Sequence, residues 1–280
     1  MGSKTDRWVP LLVSIFVLCL TTPASGQEVS AEDVEIRVQA LTNEIPEDDV
    51  AAQASLVKMG PGVSPHLGKI MLDAARPWEV RTAAAWVLGE VASPASKDDL
   101  QSAWALPDAP GPFRIQVAIA LGGLGDLAPL HHFLDPKQSD KILVAKAAIA
   151  AANLKDESAL ALLEPHLKDE DIGPFVAIAA CRLGDAGSIA QVRPLLRDAA
   201  FRDFAAVALA ATGDKTVIIP LRFALDNADP FIRAEAATLL AKFKDHTSVG
   251  KLERLRDRDP DPRVRKAAKR AVIRIGKPRR

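Results

Sequence analysis

The chain has 280 residues, 48% of them hydrophobic and 26% charged, with 36 Lys and Arg against 36 Asp and Glu. This is an ordinary globular composition, sized for one elongated domain or two compact ones. With only 2 Cys and no Tyr, it is not the composition of a disulfide-stapled scaffold.

Residues 1–26 read as a segment outside the fold. Lys4 and Arg7 precede the apolar stretch 8–20, and the small residues Ala24 and Gly26 stand before Gln27. A basic start, a short apolar core and a small-residue exit make a secretory signal peptide cut before Gln27. The stretch is shorter than the roughly 20 apolar residues a membrane span requires. Export to the periplasm or the extracellular space is therefore expected. Removal of this segment leaves Cys181 as the sole cysteine, set in an apolar run and read as a buried, inert thiol.

Residues 27–47 form an acidic segment with a leading helix predicted over 31–43. Between positions 28 and 49 stand eight acids against Arg37 alone. Residues 48–276 read as a repeat domain. Residues 50–71 look like its first unit, turning at Met59-Gly60-Pro61-Gly62, and the next unit carries Trp78, Trp86 and Trp104. Trp86 reads as core, and Trp78 and Trp104 as core residues or interface anchors.

From there the period is explicit. Asp126, Asp156, Asp185, Asp214 and Asp245 recur at intervals of 30, 29, 29 and 31 residues, the signature of a solenoid. At thirteen, nine, five and two positions before each aspartate fall apolar or small residues, such as Phe113, Val117, Leu121 and Leu124, or Ile232, Ala236, Leu240 and Phe243. That spacing is one stripe of a helix. Four and seven positions after each aspartate come Leu130 and Phe133, Leu160 and Leu163, Ile189 and Val192, Ile218 and Leu221, Val249 and Leu252. These mark a second helix. Gly125, Gly184 and Gly213 precede their aspartates, where a left-handed residue ends the first helix and Asp caps the second. A last helix is predicted over 264–275, giving about seven antiparallel hairpins with a helix at each end. Residues 277–280 form a basic tail.

Units such as Phe113-Arg114 with Leu121-Gly122-Gly123-Leu124-Gly125-Asp126, and Asp229-Pro230-Phe231-Ile232-Arg233-Ala234-Glu235-Ala236-Ala237, resemble bacterial HEAT repeats of the phycobilisome-lyase type. The resemblance covers most of residues 48–276. It implies an all-α solenoid wound as a right-handed superhelix, with second helices along the concave side. The first-helix arginine of that family is matched at Arg81, Arg114, Arg202, Arg233 and Arg265, whereas Val144 and Gly173 replace it in the middle copies.

Enzymes built on such repeats set a test. The family's iron-dependent hydroxylases carry His-Glu pairs, yet none of His66, His131, His132, His166 or His246 is followed by Glu. His131 and His132 diverge by about 100° on a helix and read as solvent-facing or turn-packing residues. Bilin-lyase activity is set aside, because the phycobiliprotein substrates of that family are cytoplasmic and the leader marks export. No cofactor, metal or small-molecule ligand is expected.

A binding surface is the remaining candidate. Eight residues after successive aspartates come Glu164, Arg193, Arg222 and Glu253. They read as a solvated Glu-Arg ladder or, in the sharper alternative, as an Arg193/Arg222 pair gripping a carboxylate or phosphate. Residues 251–280 hold 13 basic and 4 acidic residues. Arg254, Arg258, Arg265, Lys266, Lys269 and Arg270 there read as a cap or as a contact for a membrane surface, anionic polymer or nucleic acid. The expectation is an exported, non-enzymatic scaffold that binds an unidentified protein through the solenoid surface. Trp104, Arg193, Arg222 and the basic end are its candidate contacts. An anion-binding module and a HEAT-like lyase or oxidoreductase are the alternatives.

Overall fold

A computed structural model describes residues 29–39 and 46–276. Residues 1–26, expected to be a secretory signal, and residues 277–280, expected to be a basic tail, lie outside the described residues. Everything described is helix, turn or loop. The α-helices, in chain order, are α1 Ala31–Gln39, α2 Pro46–Lys58, α3 Ser64–Leu72, α4 Trp78–Val91, α5 Lys97–Trp104, α6 Gly111–Gly123, α7 Ala128–His132, α8 Lys141–Leu154, α9 Leu160–Leu163, α10 Gly173–Arg182, α11 Ile189–Val192, α12 Arg202–Ala211, α13 Ile218–Phe223, α14 Pro230–Lys242, α15 Val249–Arg258 and α16 Pro262–Ile275. Seven hairpins run from α2/α3 to α14/α15, flanked by α1 and α16, as the period predicts. The fold is an all-α HEAT-type solenoid. Contacts divide the chain after Ala150 into two units, each described by itself.

In the unit ending at residue 150, the stripes pack helix on helix. Val80, Ala84, Ala85, Val87 and Leu88 of α4 are buried with Phe113, Val117, Ala120 and Leu121 of α6. Gly89 lets the two backbones close, since a β-carbon there would stand 3.1 Å from the Ala120 β-carbon. Trp78 sits against Phe113, ring centres 5.0 Å apart, and the Arg81 guanidinium lies 3.9 Å over Trp78. Arg81 also donates to the Met71 carbonyl at 2.8 Å. Trp78 is thus packed between its own repeat and the next.

In the unit from residue 151, the same stripe buries Ile172, Val176 and Ala180 of the α10 repeat, Ala205 and Leu209 of α12, and Ile232, Ala236 and Leu240 of α14. Cys181 is fully buried on α10, and burial pushes its thiol up to about 11, so it stays protonated.

One turn geometry recurs through both units. Asp126, Asp156, Asp185, Asp214 and Asp245 each donate their backbone N–H to a carbonyl five residues back, Leu121, Ala151, Ala180, Leu209 and Leu240. The residue before each aspartate is left-handed: Gly125 (φ 85°), Lys155 (58°), Gly184 (94°), Gly213 (96°) and Lys244 (58°). These are Schellman closures of the first helix. Lysine takes the position at some steric cost in two copies. The predicted capping is seen at Asp185, which accepts from the Gly187 and Ser188 amides, and at Asp214, which accepts from Thr216 at 2.8 Å.

Three of the first-helix arginines turn back onto loop carbonyls that would otherwise be orphaned. Arg114 donates to Leu106, Pro107 and Ala109, Arg233 to Asn227 and Ala228, and Arg265 to Asp259 and Pro260. Arg233 adds a two-bond grip on the Asp259 carboxylate, both at 2.9 Å. Where Gly173 replaces the arginine, Arg182 at the far end of α10 reaches the Asn153 carboxamide at 2.6 Å instead.

Candidate functional site

A concavity lies in the unit ending at residue 150. It is an open cleft of about 430 Å³ lined by Gln101, Trp104, Leu121, Asp126, Ala128, Pro129 and His132. Two successive second helices, α5 and α7, form its walls, and the turn carrying Asp126 forms one end. Trp104 closes α5 as a half-buried residue. Its ring meets His132 edge-on at 5.7 Å and Phe133 at 5.9 Å. Phe133 is buried in the stripe of its repeat, so it anchors both rings from behind.

The wall helix α7 is short. Pro129 stands in its first turn, where a missing N–H costs nothing, and the helix ends at His132. Its Leu130 goes to the core while the His132 side chain stays exposed at the rim. Arg114 stiffens the opposite side, its guanidinium bonding the loop after Trp104 and lying 5.9 Å from the Trp104 ring. At the far end Gln101 donates to Asp126 across 3.3 Å. The arrangement offers an aromatic face, an imidazole and a carboxylate beside an apolar floor.

The structure explains the column read as a Glu-Arg ladder. Each cation reaches across to the recurring aspartate of the following repeat. Arg193 donates to Asp214 at 2.8 Å, and Arg222 holds Asp245 with two bonds of 2.8 and 2.5 Å. Burial alone would raise the Asp214 and Asp245 carboxyls. At Asp214 the bonds from Thr216 and Arg193 outweigh it, and at Asp245 those from Arg222, Ser248 and Thr247, so both lie below the usual carboxylate range. The expectation that Glu164 and Glu253 neighbour these arginines is therefore corrected, and so is the alternative of an open anion grip. Gln101 belongs to the same column, eight residues after Ser93, which itself follows the left-handed Ala92 (φ 50°). Where two copies have an arginine, this copy has a shorter, neutral amide.

Of the remaining predicted contacts, Arg254 and Arg258 are exposed on α15, and Lys266, Lys269 and Arg270 are exposed on α16. Arg265 is not a free contact, since it is spent on the carbonyls of the preceding loop. Trp104 does line an opening, as an interface anchor would. What the sequence reading missed is its company: Gln101, Asp126 and His132, residues dispersed over three segments. Among the described residues no group of three His, Cys, Asp or Glu is arranged to hold a metal ion, and no helix is long and apolar enough to cross a membrane.

Comparisons with known proteins agree with the architecture. Residues 189–273 match the family model of HEAT repeats, and residues 80–103 match that of the PBS lyase HEAT-like repeat. No curated protein gives a significant sequence match. Among solved structures, the complex of CpcE and CpcF of phycocyanin lyase from Nostoc sp. PCC7120 is similar over 91% of this chain and 99% of that one, at 16% identity and a TM-score of 0.54. Human deoxyhypusine hydroxylase in complex with glycerol is matched over 88% of this chain and 96% of that one, at 17% identity and a TM-score of 0.36. At 16% identity the first likeness establishes the fold.

These findings correct the expectation of a purely non-enzymatic scaffold. A lyase-type repeat is matched within the chain, and the fold is one on which a lyase is built. Enzyme chemistry had been set aside for want of His-Glu metal pairs. That absence excludes one metal pattern and leaves the acid-base groups of the cleft untouched.

Proposed function

We propose that this chain has a lyase-type role in which the cleft between α5 and α7 holds the reacting molecule and His132 moves a proton. The observation that carries the reading is a coincidence of place. The segment matching the PBS lyase HEAT-like repeat, residues 80–103, contains Gln101 and ends one residue before Trp104, so it runs into the wall of the cleft.

Lyase chemistry adds to or eliminates across a double bond, so it needs a group that takes a proton in one direction and returns it in the other. In the cleft that group is His132. Trp104 presents a flat apolar face against which the reactant packs. Asp126, anchored by Gln101, supplies fixed negative charge at the opposite end. Action alongside a protein partner belongs to the same proposal, supported by the similar fold in a complex of two proteins. So does action outside the cytoplasm, supported by the basic start and apolar core of residues 1–26. A mature chain beginning at Gln27, read by mass spectrometry of native material, checks that last point.

The test of the site is recovery of the chain from its native cells, identification of any co-purifying small molecule, and assay of its turnover. His132→Ala lowers turnover by about 10²-fold or more with binding by calorimetry little changed, whereas Trp104→Ala weakens binding. Equal turnover by the His132→Ala protein defeats the assignment.

A further inference from the structure

The two terminal helices carry matching faces of opposite charge. On α1, Val34 and Val38 are buried and Ile36 is 60% exposed. Glu32 and Asp33, four and three residues before Ile36, lie exposed on the same face, with Arg37 standing 3.8 Å from the Asp33 carboxylate and no such pair at Glu32 among the described residues. On α16, Val264, Ala268, Ala271 and Ile275 are buried and Ile273 is 71% exposed. Lys269 and Arg270, again four and three residues before the isoleucine, are exposed beside it, and Lys266 extends the row by one turn. Each end thus shows one large apolar side chain bordered by charge, acidic at one end and basic at the other.

The wider sequence deepens the contrast. Positions 28–49 carry eight acids against Arg37, and 251–280 carry 13 basic residues against 4 acids. A capping helix needs a polar outer face, but neither a bare isoleucine at its centre nor opposite signs at opposite ends serves that need. An apolar centre with a charged rim is how a protein contact is built.

We propose that the outer face of α16 docks on the outer face of α1 of a second copy of this chain, with Ile273 against Ile36 and Lys269 and Arg270 facing Glu32 and Asp33. The contact is heterologous, so it leaves one face of each kind free and adds copies in series. It is independent of the lyase reading, because neither face includes a residue of the cleft.

Sedimentation velocity on the full chain tests it. The wild type forms a concentration-dependent series of oligomers at low salt that weakens as salt rises and the rim charges are screened. Association through the apolar residues 8–20 would not weaken with salt. Lys269→Glu with Arg270→Glu, and separately Glu32→Lys, each weaken association about tenfold or more, with circular dichroism unchanged. An equimolar mixture of the two variant proteins regains association, because the first keeps a native α1 face and the second a native α16 face. A wild-type chain that stays monomeric at low salt, association indifferent to both reversals, or a mixture that fails to associate each overturns the proposal.

Discussion

The same column of the repeat does different work in the two halves of the chain. After residue 151 two of its members form ion pairs, Arg222 with Asp245 and Arg193 with Asp214. In the unit before it, Gln101 spans to Asp126 by one long bond, and a cleft opens beside Trp104 and His132. The rung is an ion pair in one half and a neutral amide beside an open cleft in the other.

The strongest way to break that contrast is to remove the acid of each rung. Asp245 is nearly buried, with 6% of its side chain exposed, while the Arg222 side chain keeps 34%. Asp245→Ala strips the Arg222 fork and a turn that Ser248 and Thr247 also bond, and should cost about 3 kcal/mol of unfolding free energy. Asp126→Ala removes only one weak bond and should cost about 0.5 kcal/mol. Urea titrations of the two variants read the difference directly. Equal losses would mean that the halves do not differ in this way.

A second contrast is in pH response. Asp229 caps α14 through the Phe231 amide at 2.8 Å, yet burial raises its carboxyl to about 6 despite Arg263, Arg233 and Arg182 nearby. A carboxyl whose folded value lies above its unfolded value binds its proton more tightly when folded. Stability from this residue is therefore full below about pH 4 and is lost as pH rises through about 6. Asn caps equally well and carries no charge. Asp229→Asn should therefore gain on the order of 2 kcal/mol relative to wild type between pH 4 and pH 7.5. Thermal melts across that range measure it, and parallel curves for the two proteins would rule it out.

A smaller effect should convert one half toward the other. Gln101→Arg gives the open rung the residue of the closed ones and a charged partner in Asp126. The gain is about 0.5 to 1 kcal/mol, and the longer side chain fills the cleft. If the cleft holds the reactant, turnover falls while the protein becomes more stable. Loss of neither openness nor activity would separate the rung from the site.

The architecture was legible because solenoid physics is local. Phe113, Val117 and Leu121 declare a buried helix face from their spacing alone, and the recurring aspartates fix each turn. The cleft was not legible for the opposite reason. Trp104, Asp126 and His132 meet only because α5 and α7 are successive second helices, and no spacing in a single helix encodes that meeting. One signal was available: Gln101 is an amide at the position where Arg193 and Arg222 stand in their repeats. The partners of Arg193 and Arg222 were misread because acids eight residues after their own turns, Glu164 and Glu253, looked nearer in sequence register than the turn aspartates they hold.

The smallest expected effect concerns the turn that both halves share. Gly125 and Gly184 occupy the left-handed position without penalty, whereas Lys155 occupies it at φ 58°. A side chain there crowds the following carbonyl, so the Asp156 turn is the strained copy of a motif relaxed in its neighbours. Glycine removes the clash but adds freedom to the unfolded chain, and the two terms oppose. At a position this far into the left-handed region the clash dominates, so Lys155→Gly should raise stability by about 0.5 kcal/mol. Gly184→Ala should lower it by about 1 kcal/mol. The opposite signs are the point: they follow only if the turn geometry, and not the residue that fills it, is what the repeat conserves along this chain.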